Sequence, residues 1–204
     1  MKLTDSKSRG SGGLVNRARS QTPDVSLPAM RRLFRYALAE FCAGEANNIR
    51  SGVSERNLCQ RLSFPLERAA FAAGLEGYRA DVEYNRANDD TIKTIVGERM
   101  EPVTITCDLI LHSRGQMPEQ DNLIAIEMKR SGHPIAEKAK DRHRLMALTR
   151  EPFDGVWPAG IDIEFEYVCD YVVGYFMVLD RRSDAFRIEE YVRGRLVERF
   201  THQI

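Results

Sequence analysis

The strongest constraint on the fold is a pair of apolar, β-branched segments that lie close together in the chain. Residues 103–112 read VTITCDLILH, and residues 122–129 read NLIAIEMK. Both compositions are typical of strands in a protein interior. The segment between them, SRGQMPEQD, has the Gly, Pro and Asp content of a turn. The two segments are therefore predicted to lie side by side in one sheet.

Helical patterns precede these strands. Apolar residues at helical spacing predict a first helix that begins after Pro28 and stops at Gly44. A second helical region is predicted over residues 51–74, where Ser54 caps its start and Pro65 kinks or restarts it.

The remaining segments complete the predicted order of elements. Residues 79–86 (RADVEYNR) predict a strand, and residues 87–101 a loop or hairpin. A helix is predicted over residues 135–150, and two C-terminal segments, 170–180 and 185–197, predict strands. The resulting order is helix, strand, strand, strand, helix, strand, with an extra helix in front. It predicts an α/β fold, an α-β-β-β-α-β sandwich around one mixed central sheet.

Length and charge set limits on domains and partners. The chain has 204 residues, of which residues 28–204 are predicted to form a single domain. Residues 1–27 are rich in Ser, Gly, Arg and Lys and are predicted to be a flexible basic arm. Thirty basic residues balance thirty acidic ones. A DNA partner would therefore have to be bound by a local basic patch.

Cysteine spacing and hydropathy bear on location. The four cysteines are isolated at positions 42, 59, 107 and 169, without the spacing of a zinc site or a disulfide framework. Reduced thiols favour a cytoplasmic protein. No apolar run is long enough to span a bilayer, and the first twenty residues lack the apolar stretch of a secretory signal. We therefore expect no membrane partner.

Ionisable residues stand at the facing ends of the two central strands. Side chains alternate along a strand, so Glu127 and Lys129 are predicted to share one face with Leu123 and Ala125. Asp108 on the preceding strand is predicted to converge with them. Two carboxylates a few ångströms apart repel each other, and a hard divalent cation such as Mg²⁺ relieves that repulsion.

The set of Asp108, Glu127 and Lys129 resembles the signature of the PD-(D/E)xK nuclease superfamily, the restriction-endonuclease-like fold. The predicted order of elements matches that family's core from residue 51 to residue 180. Cys107 stands where the family pattern has Pro. The segments SERNL, DVEYNR, CDLILHSRG and IEMKRS also resemble small single-domain bacterial members of this superfamily.

The resemblance implies a metal-dependent nuclease that hydrolyses DNA phosphodiester bonds in restriction, repair or defence. It implies that Asp108 and Glu127 bind Mg²⁺, for which Mn²⁺ can substitute. It implies that Lys129 orients or helps to deprotonate the attacking water, or offsets charge in the transition state. A homodimer is compatible with it, because many members act as dimers. The alternative is a catalytically inactive member of this fold that binds nucleic acid or protein.

Several further residues are candidates for the same site. Glu55, on the inward stripe of the second helix, is the predicted third catalytic and metal-binding acid, although a first-turn acid favoured by the helix dipole is equally compatible. Glu83 is the competing acid, or is simply solvated. His112 is a possible accessory residue, and a surface position is the preferred interpretation. Ser131 directly follows the motif and is also a possible accessory residue.

Basic residues after the motif are candidates for binding DNA phosphates, namely Arg130, Lys138 and Arg142. The preferred alternative is a solvated helix face, in which Ile135, Ala139, Leu145 and Leu148 point inward and the basic residues point outward.

Overall fold

The computed structural model describes residues 23–84, 106–151 and 170–204, and the backbone of two short strands at 94–96 and 102–104. Most of the predicted arm and most of the segment between the last helix and the C-terminal strands lie outside these residues. Within the described residues, no helix combines the length and the apolar character needed to cross a lipid bilayer.

The described residues form three helices and eight strands. The helices are α1 (Leu27–Ser51), α2 (Glu55–Ala72) and α3 (Ile135–Leu148). The strands are β1 (Arg79–Val82), β2 (Thr94–Val96), β3 (Pro102–Thr104), β4 (Leu109–His112), β5 (Asn122–Arg130), β6 (Val173–Asp180), β7 (Ala185–Val192) and β8 (Arg195–Gln203).

Six strands make one mixed sheet in the order β1-β4-β5-β6-β7-β8. The neighbours β5 and β6 are parallel, and every other neighbouring pair in this sheet is antiparallel. Helices α1 and α2 cover one face, and α3 covers the other. The prediction of a mixed α/β fold is confirmed. Strand β2 lies within the segment predicted as a loop or hairpin, residues 87–101, and pairs with β3, which follows that segment.

Both faces of β5 are buried, and its apolar side chains divide between two clusters. Ile124, Ile126 and Met128 pack with α1 and α2, whereas Ala125 packs towards α3. Leu123 belongs to the first cluster, so its predicted position beside Ala125 is wrong. A register shift opposite the end of β4 causes this, because one extra residue reverses the alternation of side chains.

Two helix predictions are wrong in detail. Helix α1 runs through Gly44 and ends only at Gly52, whose φ of 85° is the left-handed conformation that terminates a helix. Burial of Ile49 offsets the cost of a helical glycine, about 1 kcal/mol. Helix α2 continues through the buried Pro65, so the predicted restart there is wrong, and the alternative of a kink stays a prediction. The predicted cap at Ser54 is confirmed, because its Oγ accepts the Asn57 N–H at 3.2 Å.

The segment predicted as one strand over residues 103–112 is two elements. Its first residues belong to β3, which pairs with β2 outside the main sheet. Its last four residues form β4, which pairs with β1 and β5. Asp108 therefore lies immediately before β4, in the short connection between two sheets, where its side chain is free of the sheet's alternation.

The prediction of which α3 residues face the sheet is wrong in the first turn of the helix. It also leaves out charged residues farther along that face the sheet. Ile135 is 83% exposed, whereas Leu145 and Leu148 are buried as predicted. Arg142 and Arg144 turn towards the sheet and pair with acids there. The helix therefore lays basic side chains on the sheet, because strands β5 and β7 present carboxylates on that face.

The segment predicted as a strand over residues 185–197 turns at Gly194, and its two parts belong to the paired strands β7 and β8. Arg193 and Gly194 have φ values of 50° and 71°, the paired positive values of a tight two-residue turn. A Cβ at Gly194 would lie 2.8 Å from Cγ of Arg150, so this turn also needs glycine for a close approach.

Candidate functional site

Asp108 and Glu127 are brought together by the pairing of β4 with β5. Leu109 lies opposite Ile126, so Asp108, one residue earlier, lies beside Glu127. Oδ2 of Asp108 accepts the backbone N–H of Met128 at 2.8 Å, which fixes the carboxylate against β5. The predicted convergence of these two carboxylates thus follows from the strand register together with one side-chain hydrogen bond.

Lys129 reaches two carboxylates from different elements. Its Nζ lies 3.5 Å from Oδ2 of Asp108 and 3.4 Å from Oδ2 of Asp141 on α3. Burial lowers the pKa of this ammonium, but the charges of Asp108, Asp141 and Glu127 outweigh burial and raise the pKa above its ordinary value. Lys129 is therefore a cation at neutral pH.

Glu127 is completely buried and has one charged partner. Its Oε1 accepts a hydrogen bond from Nη1 of Arg144 at 2.6 Å. Its Oε2 is buried and has no hydrogen-bond partner among the described residues. Burial and the neighbouring charge of Asp108 raise the pKa of Glu127 well above its ordinary value, and Arg144 opposes this rise. The oxygen without a donor marks an unmet need for positive charge or a proton.

Helix α3 contributes two residues that the sequence pattern did not single out. Asp141 is buried, and Nη1 of Arg144 lies 3.4 Å from its Oδ1. A signal was present in the spacing, because Asp141 lies four residues before Leu145 and therefore on the inward stripe of the helix. An acid on such a stripe needs a partner across the packed face, and here the partner is Lys129.

The donor set fits a hard divalent cation. Carboxylate oxygens are the protein ligands of Mg²⁺, which commonly uses one or two of them. Asp108 and Glu127 supply two, and Glu127 has a buried oxygen without a donor. Among the residues that the structure describes, no three Asp, Glu, His or Cys side chains form a ready-made group that could hold an ion. The fit therefore concerns two carboxylates, with the remaining coordination left to water and substrate.

Glu55 lies near the end of β5, on the α2 side of the sheet. Its Oε1 accepts the backbone N–H of Arg130 at 2.8 Å and lies 3.2 Å from Nε2 of His133. Its charge also helps to raise the pKa of Lys129. Glu55 is thus both a first-turn acid after Ser54 and a neighbour of the motif, and its role as a metal ligand stays a prediction.

Of the two other accessory candidates, Glu83 contacts Asp108 through its backbone, whereas Ser131 contacts strand β6 through its backbone. The N–H of Glu83 donates to the carbonyl of Asp108 at 3.2 Å, whereas its carboxylate pairs with Arg56 at 3.0 Å. The N–H of Ser131 donates to the carbonyl of Leu179 at 2.8 Å. Neither side chain contacts Glu127 in the described contacts, and their catalytic roles stay predictions.

His112 is buried, so its preferred interpretation as a surface residue is wrong. Its Nε2 lies 3.0 Å from Oδ2 of Asp81 on β1, and Tyr84 packs on its ring. Arg114 donates two hydrogen bonds to the same carboxylate. The pairing of β1 with β4 places His112 inside the protein, which the sequence of β4 alone does not reveal.

Replacing Asp81 with asparagine is expected to lower the free energy of unfolding by about 1–3 kcal/mol at pH 7. Burial raises the pKa of Asp81, but hydrogen bonds from His112 and Arg114 outweigh it and hold the pKa well below its usual range. A depressed folded-state pKa stabilises the fold above the unfolded pKa of about 3.9 and loses that effect as pH falls. Urea unfolding from pH 7 to pH 3 should show the difference between variant and wild type shrinking below about pH 4.

The basic candidates each have a partner within the protein. Nη2 of Arg130 donates to the carbonyl of Gly52 at 2.7 Å, and Nζ of Lys138 donates to that of Ser131 at 2.5 Å. Arg142 packs over an aromatic ring of β6 and pairs with a carboxylate of β7, so its predicted position on a solvated face is wrong. Phosphate binding by these residues stays a prediction.

The thiols next to the site are not nucleophiles. Cys59 on α2 and Cys107 are buried, and burial together with the charges of Asp108 and Glu127 raises the pKa of both well above its ordinary value. Thiolate is the reactive form, so these side chains remain protonated and inert at neutral pH.

The candidate site is therefore a chain of alternating acids and bases: Asp108, Lys129, Asp141, Arg144 and Glu127. Three strand-borne or strand-adjacent groups face two groups of α3 across one side of the sheet. In comparisons with known proteins, no family model, curated protein or solved structure matches the chain.

Proposed function

We propose that this chain is a divalent-metal-dependent nuclease that hydrolyses DNA phosphodiester bonds, with the core order of the PD-(D/E)xK superfamily. The succession α2, β1, β4, β5, α3 and β6, with the separate pair β2 and β3 inserted between β1 and β4, supports this proposal. One observation carries the proposal. Nζ of Lys129 lies 3.5 Å from Oδ2 of Asp108, the charge of Asp108 raises the pKa of Glu127, and a buried Glu127 oxygen lacks a donor among the described residues.

In this proposal Asp108 and Glu127 hold Mg²⁺ or Mn²⁺, and Glu55 is a further candidate ligand. The bound ion supplies positive charge that polarises the phosphodiester and acidifies water. Asp108 is suited to its part because the Met128 N–H fixes its orientation before any ligand arrives. Glu127 is suited because the surrounding apolar residues exclude water, which strengthens its attraction to a cation.

Lys129 acts in this proposal as a fixed positive charge. The charges of Asp108, Asp141, Glu127 and Glu55 hold the pKa of Lys129 above its ordinary value despite burial, so its ammonium carries a proton at neutral pH. A protonated Lys129 can donate hydrogen bonds to the attacking water or to a non-bridging phosphate oxygen. Both actions stabilise charge that develops in the transition state.

Titration with Mg²⁺ tests the metal-binding half of the proposal. Because a ligand that binds the folded state stabilises it, Mg²⁺ at about 100 times its Kd should add about 2.7 kcal/mol to the free energy of unfolding. Asp108→Asn should abolish this gain while keeping the hydrogen bond from Met128. Calorimetry and thermal unfolding give the two readouts. Equal gains in the variant and the wild type would remove Asp108 from the metal site.

Cleavage assays test the catalytic half. The purified chain is incubated with double-stranded, single-stranded and branched DNA, and with RNA, in Mg²⁺ or Mn²⁺. We expect metal-dependent cleavage of at least one DNA substrate, lost in Asp108→Asn. A protein that binds the metal but cuts none of these substrates would contradict hydrolysis.

A second candidate function is supported by a different observation. In it, the chain is a non-catalytic member of this fold that binds nucleic acid or protein. Arg144 pairs with Glu127, and Lys129 pairs with Asp108, so the chain's own cations already compensate the acids. Such a protein would retain its stability and its partner binding in Asp108→Asn. Absence of any Mg²⁺ or Mn²⁺ binding to the wild type would favour this function over hydrolysis.

A further inference from the structure

The ammonium of Lys129 has two acidic neighbours, and they come from opposite sides of the site. Asp108 precedes β4 in the sheet, whereas Asp141 lies on the helix that packs over it. The two Nζ–Oδ2 distances are nearly equal, 3.5 Å and 3.4 Å. The ammonium therefore sits between the sheet and α3.

Asp141 is itself held in place. The residue is 5% exposed, and its Oδ1 lies 3.4 Å from Nη1 of Arg144, one helical turn away. Its Oδ2 has no hydrogen-bond partner among the described residues, and Lys129 is the cation next to that oxygen. A carboxylate removed from water and left without a donor is costly unless a nearby charge compensates it. Because each charge compensates the other, the position of Asp141 depends on Lys129, and the position of Lys129 depends on Asp141.

The two carboxylates beside the Lys129 ammonium, Asp108 and Asp141, differ in their other contacts. Asp108 is a ligand of the metal ion in the proposed function, so its negative charge is shared once an ion is bound. Nζ of Lys129 also donates to the backbone carbonyl of Met128 at 3.2 Å, but this acceptor is uncharged. A lysine side chain has several rotatable bonds and loses its position more readily when one charged partner is removed. Asp141 is not a metal ligand in the proposed function. It can keep the ammonium in place while Asp108 serves the metal.

We propose that Asp141 is a positioning residue that holds the Lys129 ammonium over the reacting phosphate when Asp108 binds the metal ion. This inference rests on the proposed function for its catalytic consequence. Its geometric content, that α3 fixes the place of Lys129, stands independently of hydrolysis.

The test is the nearly isosteric Asp141→Asn variant, compared with Glu119→Gln, which removes an acidic charge from an exposed site elsewhere. We expect Asp141→Asn to lower kcat by about 10- to 100-fold, because a displacement of roughly 1 Å in a catalytic group costs about that much. KM and the Kd for Mg²⁺ should stay close to the wild-type values. Asp141→Glu should recover part of kcat, since it restores the charge.

A change in Mg²⁺ affinity as large as that of Asp108→Asn would overturn the proposal, because Asp141 would then be a metal ligand. An unchanged kcat would overturn it as well. Asp141→Ser serves for the same measurements if the asparagine variant does not fold.

Nitrogen–proton correlation spectra of lysine ammonium groups separate this inference from the proposed function. In the wild type, the partly buried and paired Lys129 ammonium should give a signal protected from exchange with water. Asp141→Asn should lose that protection, and Glu119→Gln should keep it. If the wild type cleaves no DNA, the proposed function fails. Loss of protection in Asp141→Asn would still support the inference that Asp141 holds the Lys129 ammonium in place. An unchanged signal in that variant overturns it, whatever the activity.

Discussion

Replacing Lys129 with methionine is expected to lower DNA cleavage by about 100- to 1,000-fold, the usual cost of removing one preorganised donor from a transition state. The methionine side chain keeps most of the volume, so α3 can still pack on the sheet. The positive charge is lost, and with it the stabilisation of the developing phosphate charge. Single-turnover cleavage at saturating Mg²⁺ measures the chemical step directly.

The matched control for this variant is Lys140→Met, which removes a lysine charge from the exposed side of α3. It should cleave DNA at the wild-type rate. The Lys129 variant should also retain a cooperative unfolding transition, so that lost activity is separated from lost structure. Cleavage by Lys129→Met within about threefold of wild type would exclude a transition-state role for this ammonium, because even a weak donor contributes more.

Replacing Arg144 with methionine is expected to cause the largest loss of stability, about 3–5 kcal/mol, because it leaves a buried carboxylate without its charged partner. Glu127 is completely buried, and the 2.6 Å contact with Arg144 is its one ion pair in the described residues. The double variant Glu127→Gln/Arg144→Met removes both charges and should recover most of that loss. Urea unfolding at pH 7 measures the three proteins.

The loss in Arg144→Met should grow with pH. Burial and Asp108 raise the folded-state pKa of Glu127, and the variant lacks the opposing effect of Arg144. Between the unfolded pKa of about 4.3 and the raised folded pKa, the folded state binds more protons than the unfolded state. The stability of the variant therefore falls as pH rises through this window. A deficit that is constant from pH 5 to pH 8 would contradict a buried, uncompensated Glu127.

The arrangement of the two central strands could be predicted from local pattern. Two apolar segments joined by a turn allow few pairings, and alternation then sets which side chains share a face. The pairing of the two segments, rather than alternation, predicts Asp108 beside Glu127. Alternation failed at Leu123, because the bulge that shifts its face depends on how β4 ends against β5. A pattern read along one strand contains no information about irregular pairing with the next.

The contribution of α3 could not be predicted from local pattern. Its basic residues look like a solvated face, because charged side chains on a helix usually point to water. Arg142 and Arg144 instead turn inward, because they form ion pairs with carboxylates on β7 and β5. Whether a charge is buried depends on what lies opposite, and that is a property of packing between distant segments.

The sequence by itself determined the α/β class, most helices and strands, and the acid and lysine set, because apolar periodicity and turn residues act over short distances. Only the tertiary structure decided that Asp141 and Arg144 complete this set, that Glu127 lacks a second donor among the described residues, and that His112 is buried. These features arise from contacts between segments far apart in the chain. Their energies depend on the removal of water from facing charges, which no single segment specifies.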